Sequence, residues 1–201
     1  MQLSCAANGM ANDSSLLPSA KPGELSRLCR EPARLTTRTG LEFIVRPARP
    51  DDRQGMAFLL THMTPEDMYF RFLTPAHRVS NNVLEMMTNV DHDSVENLLA
   101  IDRDTHIPIA SLLLAADENR EDVEIAMAVQ SHFKEKGLSW TLLEYAIGLL
   151  RNRGFKRLHS VELREHSAAI NLEKEMGFIS RPFPGDPALT LLELDLGQKP
   201  A

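Results

Sequence analysis

Hydrophobic positions recur with two different periods along residues 41–196, and the switches between them mark the elements. The run 41–49, "LEFIVRPAR", alternates as a strand does, whereas 50–63, "PDDRQGMAFLLTHM", puts Met56, Leu59, Leu60 and Met63 on one helical stripe behind acidic first-turn residues. In 64–73, "TPEDMYFRFL", Thr64 is placed as an N-cap and Pro65 as the first helical residue, followed by Glu66 and Asp67. Another helix starts at Ser80 in "SNNVLEMMTNV". Then "ENLLAID" and "PIASLLLAAD", joined by a polar turn with Asp102 and Asp104, predict a hairpin. Residues 122–129, "DVEIAMAV", alternate cleanly, with Val123, Ile125, Met127 and Val129 on one face. A helix follows with Leu138, Leu142, Ala146, Leu149 and Leu150 facing inward, ending at Arg151, Arg153 and Gly154. The order strand, three helices, three strands, helix, strand, helix, strand predicts an α/β or α+β fold, a mixed sheet flanked by helices.

Residues 1–40 break this pattern. They are rich in Ser, Pro, Gly, Asn and Thr, and predict a flexible tail with one short helix around 24–30 at most. The expected division is therefore a tail over 1–40 and one domain over 41–201. The whole chain has a formal charge of -6, but residues 41–201 carry 17 basic against 25 acidic side chains, a net of -8. Such a body argues against general binding to nucleic acid or to anionic membranes. Cys5 and Cys29 are the only cysteines, too few for a disulfide framework or a thiolate metal site. With no apolar run of membrane-spanning length, the expectation is a cytoplasmic protein, with a homodimer left open.

Candidate chemistry concentrates in "HFKEKGLS", 132–139, between the alternating strand and the long helix. The first N–H groups of a helix have no internal partner and lie at the positive end of its dipole, so an anion such as a pyrophosphate is a natural ligand. Gly137 allows close backbone approach, and Lys134 and Lys136 add charge. No second glycine and no Gly-Lys-Ser/Thr follow, which excludes a P-loop, and the glycine series of a dinucleotide fold is missing.

The stretch "KEKGLS", 134–139, resembles the Gln/Arg-x-x-Gly-x-Gly/Ala turn of the GNAT superfamily of acyl-CoA-dependent N-acyltransferases. Gly137 matches the central glycine, Lys134 replaces the usual Gln or Arg, and Ser139 replaces the last small residue. The block "EHSAAINLEKEMGF", 165–178, is similar to that family's closing pattern through Glu165, Ala169, Leu172, Gly177 and Phe178. The likeness is nearest to the acetyltransferase domain of bacterial protein-lysine acetyltransferases, through "RPARPDD", "TPEDMYFRFLTP" and "NVDHD". The resemblance implies a largely antiparallel sheet, acetyl-CoA as donor, a primary amine such as a protein lysine as acceptor, and no metal. It also implies Glu124 as general base and a coenzyme site made of Met127, Ala128, Val129, Lys134, Glu135, Lys136, Gly137, Leu138, Ser139 and His166. His166 stands where an Asn commonly meets the pantetheine arm, and Glu173 where many members carry a Tyr proton donor.

The chemistry agrees with those roles. A lysine amine, with a pKa of about 10.4, must lose a proton before it attacks a thioester, and a carboxylate can take it directly or through water. A backbone N–H around 127–129 can stabilise the oxyanion. A thiol of pKa about 8.5 leaves without full protonation, so Glu173 reads as a solvated helix residue. Three functions stay open: a lysine-directed enzyme, a small-molecule amine acetyltransferase, and a non-catalytic acyl-CoA-binding module suggested by the altered positions Lys134, His166 and Glu173. "DHD", 91–93, reads as turn chemistry, and Met86 and Met87 as packing. Arg151, Arg153, Lys156 and Arg157 read as a solvated helix end within reach of a coenzyme phosphate. Trp140 either packs on adenine or obstructs the groove.

Overall fold

Eight strands form one sheet in the order β1-β2-β3-β4-β5-β6-β8-β7. They are β1 (Ala33–Thr36), β2 (Glu42–Pro47), β3 (Val95–Asp102), β4 (Pro108–Ala116), β5 (Asp122–Val129), β6 (Arg157–Leu163), β7 (Ile179–Pro182) and β8 (Leu189–Asp195). The helices are α1 (Arg53–Thr61), α2 (Pro65–Phe72), α3 (Asn81–Thr88), α4 (Leu138–Asn152) and α5 (Ser167–Glu175). This is a computed structural model, which describes residues 31–73 and 79–197 together with Leu25 and Leu28.

Every neighbouring pair of strands is antiparallel except β5 and β6, which are parallel and joined by α4. A parallel pair needs a crossover, and α4 supplies it. The mixed, largely antiparallel sheet expected from the sequence is therefore present.

Helices cover both faces, which explains why β3 reads as a continuous apolar run. Leu99 and Ile101 of β3 pack with Met56, Leu59, Leu60, Met68, Leu84 and Met87 of α1 to α3. Leu98 and Ala100 point the other way, into a larger cluster with Leu138, Leu142, Ala146 and Leu150 of α4 and Ile170 of α5. Val123, Ile125 and Val129 of β5 belong to that second cluster, with Met127 packed against it, as their alternation predicts. Glu124, Ala126 and Ala128 consequently face α1 to α3. The helix starts also match their signals: the Thr64 and Ser80 hydroxyls accept hydrogen bonds from the Asp67 and Val83 N–H groups.

Several expectations need correction. The boundary at Gly40 falls inside the β1–β2 turn, because Ala33 and Leu35 pack on the larger cluster and β1 pairs in register with β2. Four residues flanked by Pro and Thr are too short to show a period. Leu25 and Leu28 are buried in the same cluster, while the other residues before 31, among them Cys5, Cys29 and most of the expected helix, lie outside the described residues. The single final strand is the hairpin β7–β8. Met87 is buried, but Met86 is 74% exposed.

Candidate active site

The sheet opens between β5 and β6. Their pairing covers only Asp122↔Arg157, Val123↔Leu158 and Glu124↔His159, although β5 continues beside β4 to Val129 and β6 beside β8 to Leu163. The two strands therefore separate beyond Glu124.

Strand geometry sets which groups face the gap. The Gln130 N–H donates to Ile109 O at 3.0 Å and Asp122 O accepts from the Asp117 N–H at 2.9 Å, so even-numbered residues of β5 direct their backbone groups to β4. Alternation then directs the N–H and C=O groups of Ile125, Met127 and Val129 toward the gap. Ala128 directs its backbone to β4, and its side chain is buried beneath the helices. Two of the three expected backbone donors on β5, those of Met127 and Val129, thus face the opening.

The chain leaves this edge through a short 3-10 turn, Ser131–Phe133, and reaches the start of α4. Gly137 caps that helix at φ 75°, a left-handed conformation that favours glycine, and Glu135 also has a positive φ of 60°. The first bond of α4 runs from the Thr141 N–H to Gly137 O at 3.0 Å, leaving the N–H groups of Leu138, Ser139 and Trp140 without a partner inside the helix. The β1–β2 turn lies against this start: the Thr39 hydroxyl donates to Lys136 O at 2.6 Å, and the Arg38 guanidinium lies 5.2 Å from the Trp140 ring centre.

The side chains of the turn are more committed than its backbone. Leu138 is a core residue. Lys136 lies over the Phe133 ring at 4.9 Å. Lys134 forms an ion pair with Asp67 of α2. Burial works to raise the Asp67 carboxyl, but Lys134 and the Thr64 hydroxyl, which donates at 2.7 Å, hold it below the usual carboxylate range. Lys134 therefore ties α2 to the turn.

Glu124 is on the face covered by α1 to α3, at the point where the strands part, and its side chain is 56% exposed. His159, across the parallel pair, brings Nε2 to 3.9 Å from Glu124 Oε2. At the other end of the gap, His166 Nδ1 lies 2.6 Å from Glu162 Oε2, and the His166 ring stacks on Phe70 of α2 with ring centres 4.1 Å apart. Strand edge, α4 start, Glu124 and the first turn of α5 are thereby gathered along one opening beside α2. A solvent-exposed carboxylate and the free N–H edge of β5 thus belong to the same strand, and a carboxylate and N–H donors are the group types that acyl transfer uses.

Glu173 contradicts its expected place in solvent. It is 7% exposed and accepts a hydrogen bond from Ser160 Oγ of β6. Burial pushes its carboxyl up, the Ser160 hydroxyl opposes this, Glu162 adds to it, and the result is about 8. The inward stripe of α5 runs through Ile170 and Glu173, spaced three apart, a signal visible in the sequence. Arg71 was also unmarked there. It stands between Phe70 and Phe72, and burial lowers its pKa while Glu162 and Glu124 oppose the shift.

Other candidate residues are accounted for elsewhere. Asp91 Oδ1 accepts from the N–H groups of Asp93, Ser94 and Val95, each at 2.9 Å, and His92 Nδ1 is 3.0 Å from Glu96 Oε1. These are turn contacts. Among the described residues no group of three His, Cys, Asp or Glu could hold a metal ion. Arg157 is paired with Asp122, Lys156 with Glu121, and the Arg151 Nε donates to Leu196 O at 3.3 Å. Arg151, Lys156 and Arg157 line an open groove of about 920 Å³ at the C-terminal end of α4. That end is about 22 Å from Gly137 by helix rise, so the groove is separate from the site. No described helix is long and apolar enough to cross a membrane.

Comparison with known proteins agrees with this fold. An acetyltransferase from Pseudomonas aeruginosa is 22% identical over 132 residues, covering 64% of this chain and 70% of that protein. The fold matches the GNAT domain of S. lividans PAT with a TM-score of 0.75 at 23% identity, covering 83% of this chain and 98% of that one. It also matches spermidine N-acetyltransferase from Vibrio cholerae, solved with CoA and spermine, with a TM-score of 0.63 at 16% identity, over 77% of this chain and 96% of that one. The acetyltransferase (GNAT) family profile matches residues 60–178, more than half the sequence and nearly all of the site, and the chain belongs to that family.

Proposed function

We propose that this protein transfers an acetyl group from acetyl-CoA to a primary amine, with a protein lysine as the first acceptor class to test. The observation that carries this reading is the unpaired edge of β5 leading directly into the unpaired N–H groups at the start of α4. An extended chain of amides and a terminal pyrophosphate is the ligand that uses both features at once.

In this reading the N–H groups of Leu138, Ser139 and Trp140 bind the pyrophosphate, while Gly137 keeps the approach free of a side chain. Glu135 and Lys136 shape the turn, and the Lys134–Asp67 pair holds it against α2. Met127 and Val129 offer backbone groups to the pantetheine amides and an N–H to the developing oxyanion. His166, fixed by Glu162 and Phe70, borders the arm. Glu124 takes the proton from the acceptor amine through water. The nitrogen then bonds to the thioester carbon, the carbon–sulfur bond breaks, and the sulfur leaves with the bonding pair.

The acidic body favours cationic small amines as a second acceptor class. Transfer from labelled acetyl-CoA to lysine peptides and to polyamines, compared by kcat/KM, separates the two. Glu124→Gln should lower kcat by about 100-fold or more for the true acceptor. Full turnover by that variant removes the base assignment. Coenzyme binding without transfer to any amine identifies a binding module instead.

A further inference from the structure

Beside the opening, α2 carries a cation that no carboxylate contacts among the described residues. Arg71, in the last turn of α2, has a buried Nε with no hydrogen-bond partner. The two acids whose charges it feels, Glu162 and Glu124, lie nearer to histidines: Glu162 is bonded to His166 and Glu124 is closest to His159. The guanidinium lies 5.1 Å from the Phe72 ring centre. A buried guanidinium donor without an acceptor is costly, and is normally found where an anion will complete it.

Placement says which anion. Phe70, one residue earlier, stacks on His166 at the β6–α5 end of the gap, and Arg71 itself feels the charges of Glu162 at that end and of Glu124 at the β5 side, so it lies along the opening that an amine enters to reach Glu124. A fixed cation there repels an approaching ammonium group unless the acceptor brings its own negative charge. The planar edge formed by Nε and one terminal nitrogen fits a carboxylate with two parallel hydrogen bonds. We propose that Arg71 recognises a carboxylate carried by the acceptor within a few bonds of its reacting amine. This rests on the acyl-transfer reading above and narrows its acceptor. The carboxylate comes from the main chain of a free amino acid or from an acidic side chain beside a peptide lysine.

The test measures acetyl transfer by the full chain and by Arg71→Gln and Arg71→Lys, using paired acceptors. One pair series is free amino acids against their carboxamides. The other is lysine peptides with Glu beside the lysine against the same peptides with Gln. In one series the natural protein should prefer the carboxylate form, and Arg71→Gln should reduce that preference by at least about tenfold, through KM. Arg71→Lys, which keeps the charge without the fork, should fall between them and guards against a variant that fails to fold. Differences in amine basicity cancel between variants, and the responding series identifies the source. A preference unchanged by either substitution, with transfer intact, overturns the role of Arg71 alone. Absence of transfer to any amine, despite coenzyme binding, overturns the acyl-transfer reading and this inference with it.

Discussion

Replacing Glu173 by Gln should stabilise the protein, and increasingly so as the pH rises. The carboxyl moves from 4.5 in the unfolded chain to about 8 in the fold, because burial opposes its ionisation. Below the unfolded value both states hold the proton and the group costs nothing. Between the two values the unfolded chain releases the proton while the folded protein retains it, so stability falls by about 1.4 kcal/mol per pH unit. From pH 5 to pH 8 the loss amounts to about 2–4 kcal/mol, a large share of a domain's total stability. Gln keeps the shape and can accept from Ser160 Oγ, but does not titrate. Urea melts of both proteins at pH 5, 6, 7 and 8 should therefore converge at pH 5 and diverge at pH 8. Parallel profiles would refute the claim that Glu173 is buried as a neutral acid.

Other residues give independent checks. Gly55→Ala would normally stabilise a helix interior by about 1 kcal/mol, but a Cβ there would meet the Pro108 ring at 2.8 and 2.9 Å. The expected outcome is a loss of about 1–3 kcal/mol in urea melts. Asp67→Asn should cost about 1–2 kcal/mol at pH 7, given the exposed Lys134 end of the pair. Because the Asp67 pKa is depressed, this contribution is present above the ordinary carboxylate value and fades as the pH falls through the folded one. The natural protein and the variant should thus approach each other in melts as the pH is taken progressively below the ordinary carboxylate value.

The long periodic elements were legible because each has one face against a large cluster: α4, β5 and the stripe of α1 appear where the pattern puts them. Short edge elements were not. β1 and β7 have four residues each, and pairing with β2 and β8 decides them more than their own composition. The α4 turn was visible through Gly137, whose positive φ is a backbone requirement tied to one residue type. The opening itself could not be seen, since it depends on where the β5–β6 pairing stops. Arg71 was hidden for a related reason: a charged residue on a short helix looks solvated until the neighbours packed over it are known. At Glu173 the three-residue spacing from Ile170 was visible, and its charge masked what that spacing meant.

Titration calorimetry of acetyl-CoA against the natural protein and Gly137→Trp tests the central claim most directly. At φ 75° any side chain strains the turn, and a Cβ would lie 3.5 Å from Thr37 Cβ, so an indole must alter the start of α4 where the phosphates are expected. Micromolar binding by the natural protein, lost in a variant whose melting profile shows it folded, is the predicted result. No binding by the natural protein, or equal binding by both, would contradict the assignment of the open β5 edge and α4 start as the coenzyme site.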